Sequence, residues 1–231
     1  MNVSDVISRA RTLLNDTDAT GYRWSQQDLI DYINDAQRMI AVLRPDSSSG
    51  TTVATLVAGT KQTIPSGGFR ILDIPRNIGS DGSTPGRAIR IVDRDVLDQF
   101  EPGWHSATKK SEVKHYTYDE RFPLEYFVYP PVNAGVKIEV RFGKFPTVLP
   151  ATGDALSISD AYFEVILNYV MYRCYLKDAE FSGNAALAAQ YLQAASGLLG
   201  VKIGKDNAFS PKTNRQGGDP NVAAAQMGGV V

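Results

Sequence analysis

The chain has 231 residues, of which 43% are hydrophobic and 10% are aromatic. A chain of this length can bury roughly 70% of the surface that its unfolded form exposes, so it can build a substantial core. Its formal net charge of −1 excludes a general basic field that would hold nucleic acid over the whole surface, although it does not exclude a local basic patch.

The remaining composition sets the expected environment. Cys174 is the only cysteine, so no intramolecular disulfide can form, and the chain suits a reducing compartment or an assembly that does not depend on disulfides. The polar N-terminus predicts no signal peptide. No run approaches about 18 apolar residues, which predicts no membrane span and no membrane partner.

Two helices are predicted at the N-terminal end, in residues 1–46. Ser4 is the candidate N-cap of the first helix, and apolar residues at helical spacing follow it. Ser25 and Asp28 form a capping-box pair at the start of the second helix. Pro45 ends that helix, because proline disfavours helical backbone in the residue before it.

The character of the sequence changes in residues 47–152, where short alternating segments separated by turns predict a β-rich module. A short helix is predicted after Asp93, which we interpret as its N-cap. Short strands linked by turns favour a mostly antiparallel sheet or a small sandwich. The predicted strands are residues 51–56, 61–64, 69–74, 87–92, 113–118, 124–129 and 136–142.

Two further helices are predicted in residues 153–200. Ser159 caps a long helix with a wide apolar face that runs to about Glu180. Gly183 breaks it, and an alanine-rich helix follows over residues 185–199. Small residues let helices pack closely, so the pair should form an antiparallel hairpin that completes a bundle with the N-terminal helices. The predicted fold class is therefore α+β, with the β module inserted into a helical bundle.

The last predicted segment is an extended tail, residues 201–231, which is rich in Gly, Asn, Gln, Lys and Pro. Such a segment cannot bury enough apolar surface to offset the entropy of ordering, so we expect it to need a partner. Its candidate docking residues are the apolar Ile203, Phe209, Val222 and Met227 and the charged Lys212 and Arg215.

Candidate catalytic and metal-binding chemistry is sparse. His105 and His115 have no accompanying HExxH or CxxC spacing, so we expect no metal site and no cofactor. Cys174 lies on the apolar face of a predicted helix, where a buried small hydrophobe is expected rather than a nucleophile. An enzyme site around His105, His115 and Asp119 stays open as an alternative, and it requires those side chains to converge in a pocket.

A nucleic-acid-binding module is the second alternative. An aromatic run in the β module could stack on bases, although alternate residues of a half-buried sheet would look the same, and we favour core positions. Lys109 and Lys110 could contact DNA, but we favour ordinary solvated charge for this pair. The aromatic residues are Tyr116, Tyr118, Phe122, Tyr126, Phe127 and Tyr129, and the tail cations are Lys202, Lys205, Lys212 and Arg215.

Several segments, taken in order and spacing over most of residues 1–200, resemble a family of bacteriophage head-to-tail adaptor (connector) proteins. None of the segments is catalytic. They read ARTLLND (10–16), RWS (23–25), YINDAQ (32–37), HYTYDER (115–121), FVYPP (127–131), ISDAY (158–162), YRCYLKDAE (172–180) and GN (183–184).

The resemblance implies a structural subunit from the neck of a tailed phage with a short tail. Such adaptors form a twelve-fold ring below the portal, carry the tail nozzle or tube, and surround the channel through which double-stranded DNA passes. A terminal extension often threads into neighbouring subunits. The expected partners are therefore other copies of the chain, the portal protein and a nozzle or tube protein. The genome would pass through the lumen without sequence-specific binding.

Overall fold

The computed structural model describes residues 1–178 and 180–209, with helices at both ends of the chain and strands between them. The helices are α1 (Val3–Leu14), α2 (Gln26–Leu43), α3 (Arg94–Phe100), α4 (Phe163–Lys177) and α5 (Asn184–Phe209). The strands are β1 (Ser49–Thr55), β2 (Gly59–Thr63), β3 (Gly68–Ile78), β4 (Pro85–Ala88), β5 (Arg90–Ile91), β6 (His115–Thr117), β7 (Glu125–Val132) and β8 (Lys137–Lys144). The predicted α+β class is confirmed.

The helical bundle consists of α1, α2, α4 and α5, which share one hydrophobic core. Trp24, Ile33 and Met171 are among its buried members. α5 packs along α4 as the predicted hairpin, and the stacked rings of Tyr175 and Tyr191 join the two helices at 5.5 Å between centroids. The bundle therefore draws its core from both terminal parts of the chain.

The strands form two four-stranded sheets that enclose a second core. The orders are β1-β8-β3-β4 and β2-β7-β6-β5, and every pair is antiparallel except β5 with β6. Buried residues of both sheets, such as Ile138 and Tyr126, meet in one cluster. We call this module the sandwich, and its mostly antiparallel pairing agrees with the prediction.

Glycine is required where the sandwich packs around Phe142. A Cβ built on Gly68 would lie 2.7 Å from the Phe142 ring, and one built on Gly50 would lie 3.1 Å from it. Both glycines therefore let the ring lie directly against the backbone of the neighbouring strands.

Helix boundaries differ from the predictions at the start of α1, at both ends of α4 and at the end of α5. α1 begins at Val3 rather than after Ser4, because the Asp5 carboxylate accepts the backbone N–H of Asn2 at 2.7 Å and so ties the first turn together. The Ser159 hydroxyl caps a single 3₁₀ turn at 3.3 Å, and α4 starts only after that turn, at Phe163. α4 also ends at Lys177, three residues before the predicted end.

The largest difference is at α5, which continues to Phe209 instead of ending at Leu199. The extra turns are held by one ion pair within α5 and one to the end of α2. Asp206 lies 3.0 Å from Lys202 one turn earlier and 3.1 Å from Arg44 at the end of α2. Residues 201–209 are therefore helical, and the predicted boundary between residues 200 and 201 falls inside α5.

The segment that leaves the sandwich, residues 149–158, is bonded to the N-terminal helices. The Asn34 side chain donates to the Leu149 carbonyl at 3.0 Å and accepts from the Leu149 N–H at 2.9 Å. The buried Gln37 accepts from the Ser157 N–H at 3.1 Å. The first free N–H groups of α1, on Val3 and Ser4, donate to carbonyls of residues 154 and 152. We call residues 149–158 the crossing segment.

We predict that Asn34→Ala destabilises the protein by about 1–3 kcal/mol, because it leaves the buried N–H and carbonyl of Leu149 without partners. Urea unfolding followed by circular dichroism would measure the change. Asn168→Ala is the matched control, since the Asn168 amide bonds only an exposed carbonyl of its own helix, and it should change stability by less than about 0.5 kcal/mol. Equal losses in both variants would contradict the role assigned to Asn34.

Candidate interaction surfaces

The three side chains of the alternative enzyme site, His105, His115 and Asp119, each contact different residues. The His105 Nδ1 lies 2.9 Å from the Thr60 hydroxyl, and the His115 ring stacks on Tyr129 at 6.2 Å between centroids. Asp119 pairs with Arg121 at 2.7 Å in an exposed loop. Neither of the two described clefts is lined by His105, His115 or Asp119. The described residues thus do not bring these groups together.

Among residues 1–178 and 180–209, no group of three or more His, Cys, Asp or Glu side chains is placed to hold a metal ion. Within this part of the chain, no helix is long and apolar enough to cross a membrane.

Cys174 is confirmed as a core residue on α4, with no exposed surface. Burial raises the pKa of its thiol to about 12, and the carboxylates of Asp178, Asp28 and Asp16 contribute further. The reactive thiolate is therefore scarce at neutral pH.

We predict that Cys174 resists alkylation in the native protein at about pH 8 and reacts within minutes once the protein is unfolded in denaturant, because unfolding returns the thiol to its ordinary pKa near 8.5. Mass spectrometry after iodoacetamide treatment would measure the modified fraction. Fast labelling of the folded protein would contradict the assigned burial.

The aromatic run of the sandwich does not form an open stacking platform. Tyr116 and Tyr126 lie in the core. Phe127 and Tyr129 are half-buried under Trp104, whose ring lies 6.3 Å from each of theirs. Trp104 itself is fully buried. Tyr118 is partly buried against the same core, whereas Phe122 is the one exposed ring of the run. The core interpretation is therefore confirmed for Tyr116 and Tyr126.

A buried ion pair fixes the connection between α1 and α2. Arg11 donates to Asp16 at 2.6 Å and to the Trp24 carbonyl at 3.2 Å, and both charged side chains are about nine-tenths buried. The second Asp16 oxygen accepts the Arg23 N–H at 2.9 Å. The Trp24 indole N–H then donates to the Cys174 carbonyl at 3.3 Å, which joins this connection to α4.

The same connection reaches the turn between α4 and α5. Arg23 lies 2.7 Å from Asp178, and its guanidinium lies 4.8 Å from the centre of the Phe181 ring. Lys177 pairs with Asp28, the capping residue of α2, at 2.9 Å. The sequence motifs that carry the family resemblance therefore hold the helix connections in place.

We predict that Asp16→Ala costs about 3–5 kcal/mol of folding stability, because it leaves the Arg11 guanidinium buried without its counter-charge. Thermal and urea unfolding would measure the loss. Asp18→Ala, in the same connection but at an exposed position, serves as the control and should cost far less. A small effect of Asp16→Ala would contradict the importance of this pair.

The outward surface of α5 is unusual for an exposed helix, because residues 185–201 contain no charged side chain. Leu187, Leu198 and Val201 are 37–59% exposed and lie within about 60° of one another around the helix axis. A helix without a charged outer face is typical of one that is covered on more than one side. We call the exposed part of residues 185–201 the neutral face.

The structure places only one predicted docking residue in full. Ile203 lies on α5 and packs, half-buried, against the bundle core of its own chain. Phe209 is the last residue of α5. Lys212, Arg215, Val222 and Met227 lie outside the described residues, and their docking role stays a prediction. Sequence reasoning missed the neutral face, although the absence of charge over residues 185–201 is visible in the sequence.

The comparison with protein families places the chain among bacteriophage head-to-tail adaptors. Residues 1–216 match the family model described as SU10 adaptor protein, so the chain belongs to that family. A comparison with curated proteins found no match. The resemblance seen in the sequence motifs is therefore confirmed at the level of the family.

Proposed function

We propose that the chain is a non-enzymatic ring subunit at the portal vertex of a short-tailed phage. In this role it joins the portal protein to the tail nozzle or tube in the neck of the virion, and the ring of twelve copies surrounds the channel through which DNA leaves the head. The family match over residues 1–216 is the observation that carries the proposal.

Two features of the described residues support a role in assembly. The neutral face of α5 offers small uncharged side chains against which a neighbouring subunit can pack closely. The bundle beneath it is fixed by the Arg11–Asp16 pair and by the crossing segment. A rigid body suits a ring, because a heterologous interface closes only if each subunit repeats the same rotation.

A deletion that tests the docking role of the tail must begin after α5, which ends at Phe209. Removal of residues 201–231 would also remove Lys202, Ile203 and Asp206, which contact Tyr162, the core and Arg44. Removal of residues 210–231 keeps these contacts and deletes Lys212, Arg215, Val222 and Met227, the candidate docking residues beyond α5. The shorter deletion therefore separates docking from folding.

We predict that the variant lacking residues 210–231 keeps the melting temperature of the full chain but no longer joins the portal, because it loses the docking residues and no described contact. The variant lacking residues 201–231 should in addition melt at a lower temperature. Co-sedimentation with the purified portal protein measures joining, and electron microscopy of the complex counts the subunits.

Normal portal joining by the shorter deletion would overturn the docking role of the tail. Failure of the full-length chain to join the portal or to form a closed ring on it would overturn the adaptor proposal itself.

A further inference from the structure

The region of the sandwich around the edge strands β4 and β5 carries cations that form no ion pair with other described residues. Among the described residues, five exposed cations between residues 87 and 114 make no ion pair. We call this set the basic edge. Its members are Arg87, Arg90, Lys109, Lys110 and Lys114.

Strand pairing brings these residues together from separate parts of the sequence. Arg87 lies on β4 and Arg90 on β5, which are edge strands of the two sheets. Arg90 stands opposite His115 in the parallel β5–β6 pair, and its N–H donates to the Lys114 carbonyl at 3.2 Å. The Asn77 amide donates to the Arg87 carbonyl at 3.0 Å and to the Val113 carbonyl at 2.7 Å, so it fixes β4 beside the residues that precede β6.

The lysines lie on a segment that is bonded along β7. The Lys110 N–H donates to the Pro131 carbonyl at 2.8 Å, and the Lys114 N–H donates to the Tyr129 carbonyl at 2.8 Å. Lys110 and Lys114 line a cleft of about 280 Å³ together with Ser111, Glu112 and Pro130. The backbone beneath the two ammonium groups is therefore held in place by hydrogen bonds.

The charged side chains of the basic edge and its cleft are mostly cations. Glu112 is the only acidic residue that lines the cleft. The imidazole of His115 has a lowered pKa, first because it is partly buried and then because Arg87, Lys114 and Arg90 repel its charged form. On a chain whose net charge is −1, this concentration of cations gives a local positive potential that attracts polyanions.

We propose that the basic edge binds the phosphate backbone of duplex DNA without reading the base sequence. The edge offers five cations and a hydroxyl, on Ser111, as partners for phosphate oxygens.

DNA is favoured over an acidic protein surface because the basic edge has no large apolar centre. Specific protein interfaces are built around buried aromatic and aliphatic residues. The one large apolar side chain exposed on β4 or β5 is Ile91. Edge-strand charges also block pairing between sheets, which accounts for Arg87 and Arg90. It does not account for Lys110 and Lys114, whose backbone is bonded to the interior strand β7.

The inference rests on the proposed function only for the source of the DNA, which is the genome that passes the ring. Binding itself belongs to the single chain and is measurable without portal or ring. Loss of DNA binding and loss of portal joining are therefore separate results.

The test is fluorescence anisotropy of a short labelled duplex with the full-length protein, between about 50 and 200 mM salt. The patch variant is Arg90→Gln, Lys110→Gln and Lys114→Gln together. The matched control is Arg9→Gln, Arg38→Gln and Lys144→Gln, which removes the same charge from exposed residues outside the basic edge that make no ion pair in the described part of the chain.

We expect the patch variant to bind at least about tenfold more weakly at low salt. The slope of log affinity against log salt should also become shallower by about 2.7, since about 0.9 is lost for each phosphate contact. The control should keep most of the affinity and the slope. Unchanged melting temperatures would show that both variants fold.

Three results would overturn the proposal. The first is the absence of binding by the unmodified protein at low salt. The second is an equal loss in the patch and control variants, which would assign binding to overall charge. The third is displacement of DNA by polyglutamate at equal charge concentration, which would assign the basic edge to an acidic protein surface.

Discussion

The hydrogen bonds between the crossing segment and the N-terminal helices are the constraint on which the rest of the structure depends. The bundle takes α1 and α2 from one end of the chain and α4 and α5 from the other, and the whole sandwich lies between them. Closing such a long loop has an entropic cost that must be met by contacts between the two ends. Asn34 and Gln37 supply directional contacts at the point where the chain returns to the bundle.

This arrangement accounts for several of the polar residues in the family motifs. Arg11 and Asp16 satisfy each other inside the α1–α2 connection. Asn34 satisfies the backbone of Leu149. A buried polar group is stable only when it is paired, and these partners come from distant parts of the chain. The motifs therefore specify which segments meet, which hydrophobic contacts alone define less sharply.

Much of the fold could be predicted from the sequence, because the helices and most strands show regular apolar periodicity. The end of β3 was missed because Pro75 lies within it. The register shifts between Asp73 and Arg76, and this irregularity accommodates a residue without an N–H. The predicted strand over residues 87–92 is divided at Ile89, which is buried between the two sheets and donates to the Pro75 carbonyl. The passage of the chain from one sheet to the other at Ile89 depends on tertiary packing, which the apolar periodicity of the sequence does not reveal.

The candidate surfaces were harder to predict than the fold, for two different physical reasons. The neutral face on α5 is a property of local sequence, but its exposure depends on which side of the helix meets α4. The basic edge is not local, because Arg90 and Lys114 become neighbours only through strand pairing. Lys109 and Lys110 alone had indicated ordinary solvated charge. An interaction surface depends on strand pairing and helix packing between distant segments. A helix or strand, in contrast, can be predicted from the residue pattern of one segment.

The two candidate surfaces lie on different modules, the neutral face on the helical bundle and the basic edge on the sandwich. Small uncharged side chains on α5 allow close approach of a neighbour, but they provide little of the charge complementarity that fixes orientation. The basic edge attracts phosphate at long range and carries no sequence preference. We infer that neither surface can select the portal by itself. In the proposed adaptor, we expect specificity for that partner to come from residues 210–231, whose candidate docking residues Lys212, Arg215, Val222 and Met227 include both charged and apolar side chains.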